Sequence, residues 1–167
     1  MGYEEELAYR RSVRDRWEEA VTLISLVGAY ARVGRIDDAI AAHSTAAAIF
    51  QAVGDAANMS ACHHDLGFSL VMAGRFDEGI AYLQQDLDIE VKRGNRRGAS
   101  QSLAALGYCF LVAGREGADA YLQEAIEVSQ EIDEPGITAY ASLIRLIMLA
   151  ANGGPVNSRP SNRPSPS

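Results

Sequence analysis

The feature that most constrains the fold of this 167-residue chain is an internal repeat with a period of forty residues. Glycines recur at that spacing, at Gly34, Gly74, Gly114 and Gly154. A leucine stands eight residues before each of them, at Leu26, Leu66, Leu106 and Leu146. A repeat of this length indicates copies of one supersecondary unit that stack on one another, because a single unit cannot bury its own apolar face.

The apolar residues within each unit have the spacing of α-helices. They recur three and four positions apart, and residues 1–154 contain a single proline, Pro135. Each unit reads as a helix A that ends at the repeat glycine, where glycine supplies a left-handed turn, followed by a helix B. Asp15, Asp55 and Asn95 are candidate N-caps of the A helices. The predicted helices are 3–13, 16–33, 36–53, 56–73, 76–93, 97–113, 116–132 and 137–151.

The chain divides into a helical array over residues 1–154 and a tail over 155–167. Three full repeats, 16–53, 56–93 and 97–132, lie between half-repeats at 3–13 and 137–151. The tail holds four of the five prolines and no aromatic residue. Such a segment cannot bury enough apolar surface to offset its ordering entropy, so we predict that the tail is disordered.

Composition and charge exclude several classes of function. The chain has 15 Lys+Arg against 22 Asp+Glu, and its net charge of −7 is the opposite of the basic surface that nucleic-acid binding needs. No apolar run approaches the ~18 residues of a membrane span, and the N-terminus has acids where a signal peptide has bases. Cys62 and Cys109 do not form a disulfide framework. We therefore expect a cytoplasmic protein, without direct nucleic-acid or membrane contact, whose partner is basic or amphipathic.

The units resemble tetratricopeptide repeats, whose pattern begins W-x2-L-G-x2-Y. At those positions the second and third units carry His63, Leu66, Gly67, Leu70 and Leu103, Leu106, Gly107, Phe110. The period of forty residues, longer than that of the usual repeat, looks like the subset found in large bacterial regulators. The resemblance implies an all-α, right-handed solenoid of stacked antiparallel helix pairs. It also implies a non-enzymatic module that binds a protein or peptide.

The same resemblance implies which residues bind the partner, because in such arrays a second stripe of each helix A lines a concave groove. Here the stripe consists of Ile24, Gly28, His64, Phe68, Val71, Gln101, Ala104, Tyr108 and Leu111. Phe68 and Tyr108 take equivalent places in successive units, and aromatic side chains in a groove are candidate anchors. The alternative is that these side chains only pack between closely stacked helices.

The sequence favours neither a metal nor a cofactor nor a catalytic site. His63 and His64 are adjacent in a helix, so their side chains point ~100° apart and cannot chelate one ion together. No H-E-x-x-H or C-x2-C pattern occurs. His63 and His43 both take core-facing positions, and we predict that they share a hydrogen bond. The acidic residues of the B helices are expected on solvated faces, at Asp86, Asp88, Glu90, Glu124, Glu127 and Glu131.

A protein–protein adaptor is the preferred interpretation of these patterns. The alternative is a ligand- or peptide-sensing arm of a bacterial transcriptional regulator, and an enzyme built on helices comes third because no residue constellation supports it. The last predicted helix presents apolar residues that a further helix would normally cover, which favours a homodimer through that helix. These residues are Leu143, Leu146, Ile147, Leu149 and Ala150.

Overall fold

The computed structural model describes residues 2–151, and these residues form eight α-helices without a strand. The predicted disordered tail, 155–167, and the fourth repeat glycine lie outside the described residues. The helices are α1 (Tyr3–Ser12), α2 (Arg16–Arg32), α3 (Ile36–Val53), α4 (Ala56–Met72), α5 (Phe76–Lys92), α6 (Arg96–Val112), α7 (Ala118–Glu131) and α8 (Pro135–Ala151). The all-helical prediction is confirmed.

The helix boundaries follow local sequence signals. Asp15, Asp55 and Asn95 are the N-caps of α2, α4 and α6, as predicted. Each side chain accepts a hydrogen bond from the backbone N–H three residues later, over 3.3, 3.1 and 3.2 Å. These bonds satisfy amide groups that have no partner inside the helix, and they fix where each helix A begins.

Three helices begin at residues other than those predicted, and α6 differs least, since it begins at Arg96 instead of residue 97. The helix α7 begins at Ala118 instead of residue 116, because Gly117 has a φ of 98° and is its N-cap. The helix α8 begins at Pro135 instead of residue 137. Proline suits the first helical position, since its φ is already close to the helical value and no helical hydrogen bond needs its missing N–H.

Each helix packs against the next one along the chain, so A helices (α2, α4, α6, α8) alternate with B helices (α3, α5, α7) in antiparallel pairs. Gly67 and Gly107 allow the close approach expected of them. A Cβ at Gly67 would lie 2.6 Å from Cγ of Leu83, and one at Gly107 would lie 2.6 Å from Cγ of Leu122. Both leucines are fully buried, so helix B fills the space that glycine leaves on helix A.

Candidate binding site on the inner face

The A helices of the second, third and fourth units share one surface. The helix α6 contacts both α4 and α8 directly, whereas among the described helices no B helix contacts another B helix. The A helices therefore lie closer together than the B helices, and the array curves with α4, α6 and α8 on its inside. We call the surface of these three helices the inner face.

Aromatic side chains run across the inner face from unit to unit. Phe68 of α4 stacks on Tyr108 of α6, with ring centroids 6.0 Å apart and an angle of 29° between the rings. The imidazole of His64 lies 5.4 Å from the ring of Phe68. The equivalent aromatic positions noted in the sequence therefore contact one another directly, and all three side chains remain partly exposed.

An apolar cavity of about 260 Å³ opens on the inner face among α4, α6 and α8. Its floor is apolar, and three side chains with polar atoms reach its wall. The residues that line it are His64, Phe68, Gln101, Ala104, Ala105, Gly136, Ile137 and Tyr140. We refer to it as the apolar cavity.

A polar cavity of about 440 Å³ adjoins it, between α4, α5 and α6. His64 and Gln101 line both cavities, so the two form neighbouring parts of one surface. Most of the other side chains around the second cavity are polar or charged. They are Ser60, Asp65, Asp86, Glu90, Arg93, Asn95 and Ser102.

A buried carboxylate organises the polar cavity. Asp86 is only 2% exposed and accepts hydrogen bonds from the hydroxyl groups of Ser60 and Ser102, the latter over 2.7 Å. Nδ1 of His64 lies 2.9 Å from Oδ2 of Asp86, the same oxygen that accepts the bond from Ser102. The donors come from α4 and α6 and the acceptor from α5, so this network joins three helices.

The burial of Asp86 corrects one expectation from the sequence. Asp86 and Glu90 do not lie on a solvated face, since Glu90 is also buried and pairs with Arg93 over 2.6 Å. Asp88 is exposed as expected, and so are the acids of α7, Glu124, Glu127 and Glu131. The prediction from helical spacing was wrong for Asp86 and Glu90, because α6 packs over the side of α5 that carries them.

The charge of His64 depends on two opposing effects. Burial disfavours the protonated ring, but the hydrogen bond to Asp86 and the charge of that carboxylate outweigh burial, so the pKa of His64 is raised. Burial also raises the pKa of Tyr140, so its hydroxyl remains protonated near neutral pH. Both groups can therefore present a proton to an occupant of the apolar cavity.

The structure separates the predicted groove residues into three sets. His64, Phe68, Gln101 and Ala104 line the apolar cavity, and Tyr108 stacks beside it. Val71 is buried in the core, and Leu111 lines a separate cavity next to α7 and α8. Ile24 and Gly28 belong to α2 and line neither cavity.

The predicted hydrogen bond between His43 and His63 is wrong. Nδ1 of each ring is buried without a hydrogen-bond partner, and the ring of His63 instead packs edge-on against Tyr82, with centroids 5.3 Å apart. Burial lowers the pKa of both His43 and His63. Within residues 2–151 no cluster of three or more histidine, cysteine or acidic side chains could hold a metal ion.

The residues proposed for self-association form an exposed apolar strip on α8. Leu143, Leu146 and Ile147 are each more than half exposed, and Leu149 and Ala150 are also exposed. The opposite side of α8 is buried through Ile137, Ala141, Ile144 and Met148. The helix is therefore apolar on two sides, and no helix of the described residues covers the outer one.

Sequence reasoning missed several residues of this site, namely Ser60, Asp86, Ser102, Ile137 and Tyr140. A signal for the first three was available in the repeat itself. Forty residues earlier the corresponding positions hold Ala20, Ala46 and Cys62, so the second junction between units is polar where the first is apolar. Ile137 and Tyr140 carried no such signal, because their role depends on how α8 packs.

Comparison with protein families finds a match for part of the chain. Residues 18–90, which cover α2 to α5, match the tetratricopeptide repeat family. None of the curated proteins matches the sequence. None of the described helices has the length and apolar content needed to cross a lipid bilayer.

Solved structures with the same fold include proteins from bacteria and fungi. Aspartyl phosphate phosphatase F from Bacillus subtilis superposes with a TM-score of 0.79 at 16% identity, over 90% of this chain and 40% of that one. A kinesin light chain of Podosopora anserina with nearly identical TPR-like repeats gives 0.76 at 17% identity, over 90% and 76%. BtubC from P. vanneervenii gives 0.59 at 16% identity, over 99% and 76%. This chain thus spans less than half the length of the phosphatase, and these likenesses concern the fold.

Proposed function

This chain is a tetratricopeptide repeat protein, and we propose that it is a non-enzymatic module that binds a protein or peptide partner on its inner face. Tetratricopeptide folds are in general protein-interaction modules. The observation that carries the proposal is the run of partly exposed aromatic rings, Phe68 on Tyr108 with His64 beside them. Aromatic side chains that lie partly exposed beside a cavity are efficient anchors, because they bury a large area when a partner docks.

The chemistry of the inner face supports the same proposal. The apolar cavity can take one side chain of a partner, and the adjoining polar cavity offers hydrogen-bonding groups around it. Interfaces of this kind combine an apolar centre with a polar rim. The inner-face residues that we expect to contact a partner are His64, Phe68, Gln101, Ala104 and Tyr108. Ile24, Gly28, Val71 and Leu111 lie outside the two cavities, so we expect smaller contributions from them.

A sensing arm of a bacterial regulator is the second candidate. The likeness to aspartyl phosphate phosphatase F supports it, because the matching array there is part of a longer bacterial protein. In that case the partner would be another domain of the same assembly, and binding of a ligand would change the contact. We place either function in the cytoplasm.

Capture of partners with the immobilised full chain tests the proposed surface. Gln101→Arg introduces a large cation between the two cavities, and Gln101 is exposed, so the fold tolerates the change. Gln84→Arg is the matched control, since Gln84 is exposed on the B helix α5 and lines neither cavity. We expect Gln101→Arg to lose the proteins that the parent chain and Gln84→Arg both retain. Equal capture by all three chains would place the partner surface elsewhere.

A further inference from the structure

The apolar cavity has the make-up of a small-molecule site. Small-molecule pockets are mostly apolar, with a few polar groups that fix the orientation of the ligand. Here Phe68 comes from α4 and Ile137 and Tyr140 come from α8, and His64 and Gln101 stand on the wall. The volume of about 260 Å³ lies just below that of pockets for drug-sized molecules, which run from roughly 300 Å³ upward. A ligand smaller than a drug, such as one ring with a short side chain, fits this space.

The polar groups on the wall are all able to donate hydrogen bonds. They are the imidazole of His64, the amide of Gln101 and the hydroxyl of Tyr140. No carboxylate lines the apolar cavity. The nearest buried one, Asp86, is already engaged by two serine hydroxyls and by His64. The wall is therefore complementary to a ligand that carries hydrogen-bond acceptors.

We propose that the apolar cavity binds a small aromatic carboxylic acid, with its ring against Phe68, Ile137 and Tyr140 and its carboxylate on Nε2 of His64. The proposal names a ligand class for the inner face, so it rests on the proposed use of that face for binding. It does not require the partner protein to occupy the same cavity.

The contact with Asp86 orients His64 for this role. A carboxylate can only accept hydrogen bonds, so Nδ1 of His64 carries a proton and donates it to Oδ2 of Asp86 over 2.9 Å. The other ring nitrogen, Nε2, can then contact an occupant of the cavities. When the ring is protonated, Nε2–H is a charged donor, and hydrogen bonds between a charged donor and a carboxylate are stronger than neutral ones.

His64 is also the group near the apolar cavity whose charge depends on its charged neighbours. Burial lowers its pKa, but the carboxylates of Asp86 on α5 and of Asp65 on α4 raise it by more. On α8, Tyr140 stays protonated because burial raises its pKa. On α5, Glu90 and Arg93 pair with each other in the polar cavity, and α6 contributes the uncharged Gln101 and Ser102. Affinity for a carboxylate is therefore expected to rise as the pH falls and His64 becomes protonated.

Calorimetric titration of the full chain with 3-phenylpropionate tests the ligand class. The uncharged 3-phenylpropanamide and the cationic 2-phenylethylamine have similar rings and serve as matched probes. We expect the acid to bind about tenfold more tightly than either of them, since the loss of one charge-assisted hydrogen bond has roughly that effect. We also expect the preference for the acid to shrink as the pH is raised above the ordinary histidine value of about 6.5 and through the raised pKa of His64.

Three variants separate a role of His64 from a change in folding. His64→Gln retains a hydrogen-bond donor but not the charge, and it should remove the preference for the acid together with its pH dependence. His63→Gln is the matched control, because His63 lines a different cavity, and it should bind as the parent chain does. Tyr140→Ala changes a side chain that is 44% exposed, so it should stay folded while it binds all three probes about tenfold more weakly.

Equal affinity for the acid and the amide would overturn the proposal. An equal loss of affinity for the acid in His64→Gln and His63→Gln would also overturn it. A peptide that ends in phenylalanine and binds tenfold more tightly than 3-phenylpropionate would also overturn it, since the ligand would then be a chain terminus. Failure of the proposed protein interface gives a different result. In that case Gln101→Arg captures the same proteins as Gln84→Arg, whether or not the parent chain binds 3-phenylpropionate.

Discussion

The junction between the first and second units and the junction between the second and third are built from corresponding residues of opposite polarity. In the second junction the side chains are Ser60, His64, Asp86 and Ser102. Forty residues earlier, the first junction has Ala20, Ile24, Ala46 and Cys62. These four pack together in one apolar cluster. The same backbone arrangement thus accepts a buried carboxylate at one place and excludes water from an apolar core at the other.

The difference shows what a repeat array can vary without changing its fold. The apolar junction needs only matching volumes, because apolar contacts have no directional requirement. The polar junction requires all its members together, since a buried acceptor without donors, or donors without an acceptor, costs more than the apolar arrangement. The polar junction is also the one whose histidine reaches the apolar cavity. The array therefore carries its distinctive chemistry where it departs from its own repeat.

Moving the carboxylate alone to the other junction should have the largest effect. Ala46 is fully buried, and Ala46→Asp would place a carboxylate in the apolar cluster that contains Ala20 and Cys62. We expect the free energy of unfolding to fall by several kcal/mol, on the order of 4, because an unpaired charge is buried. Urea denaturation measures the loss. The loss should shrink as the pH falls, since the pKa of the new carboxyl is raised by burial and protonation removes its charge.

The exposed residue Ala41, in the same helix as Ala46, provides the control. Ala41→Asp should change the free energy of unfolding by less than about 0.5 kcal/mol. Adding Ala20→Ser, Ile24→His and Cys62→Ser to Ala46→Asp rebuilds the second junction in the first and should recover part of the loss. If Ala46→Asp were no worse than Ala41→Asp, the two junctions would not differ in the way that we describe.

Removing the carboxylate from its own junction should have the second largest effect. Asp86→Ala leaves the hydroxyls of Ser60 and Ser102 without their acceptor in a buried site. We expect a loss of about 2–3 kcal/mol in the free energy of unfolding, which is less than for Ala46→Asp because Ser102 retains a bond to a backbone carbonyl. Asp88→Ala, at an exposed position of the same helix, should be close to neutral. Similar losses in Asp86→Ala and Asp88→Ala would contradict a structural role for the network.

A fall in pH should change the contributions of the two junctions to stability in opposite directions. The effect should be smaller than those of the two substitutions above. The pKa of His43, at the first junction, is lowered by burial, so its contribution to stability is lost as the pH falls below the ordinary histidine value of about 6.5. The pKa of His64 is raised because Asp86 outweighs burial, so its contribution is present at acid pH and lost as the pH rises through the raised value.

Urea denaturation at about pH 7.5 and about pH 5.5 compares the parent chain with single variants, within the range where histidines titrate. In His43→Gln the loss of stability on acidification should be smaller than in the parent chain. In His64→Gln it should be larger, because the contribution that acid would preserve is missing. The same pH dependence in all three chains would mean that neither histidine differs in pKa between the folded and unfolded states.

Most of the fold could be predicted because its signals are local. The repeat glycines Gly34, Gly74 and Gly114 have φ values of 75°, 79° and 64°, so the left-handed turn read from the sequence is a property of those residues alone. The N-caps likewise depend only on the side chain and the backbone three residues later. The late start of α7 was missed because two glycines, Gly114 and Gly117, stand close together, and only the first belongs to the repeat.

The site was harder to predict because it depends on which helices meet. Phe68 and Tyr108 were found from the repeat, since equivalent positions in neighbouring A helices are close in any stacked array. Asp86 was placed in solvent because helical spacing describes one helix and takes no account of α6 above it. Tyr140 became a wall of the apolar cavity only through the packing of α8. What the sequence leaves open is thus the set of contacts between helices that are distant along the chain.

The outer side of α8 is exposed at a position that is buried in the other A helices. In the inner units, Leu66 and Leu106 are fully buried, whereas Leu146, at the corresponding place forty residues on, is 60% exposed. We propose that a second copy of the chain covers this strip, and we expect sedimentation of the parent chain to show dimers at high concentration. Leu146→Asp should sediment as a monomer, because a buried charge opposes an apolar interface. Its free energy of unfolding at low concentration should change by less than about 0.5 kcal/mol, since the residue is exposed in a single chain. Ser142→Asp, at an exposed polar position of α8, should still dimerise. A parent chain that stays monomeric at every concentration would contradict self-association and leave this strip to a different partner.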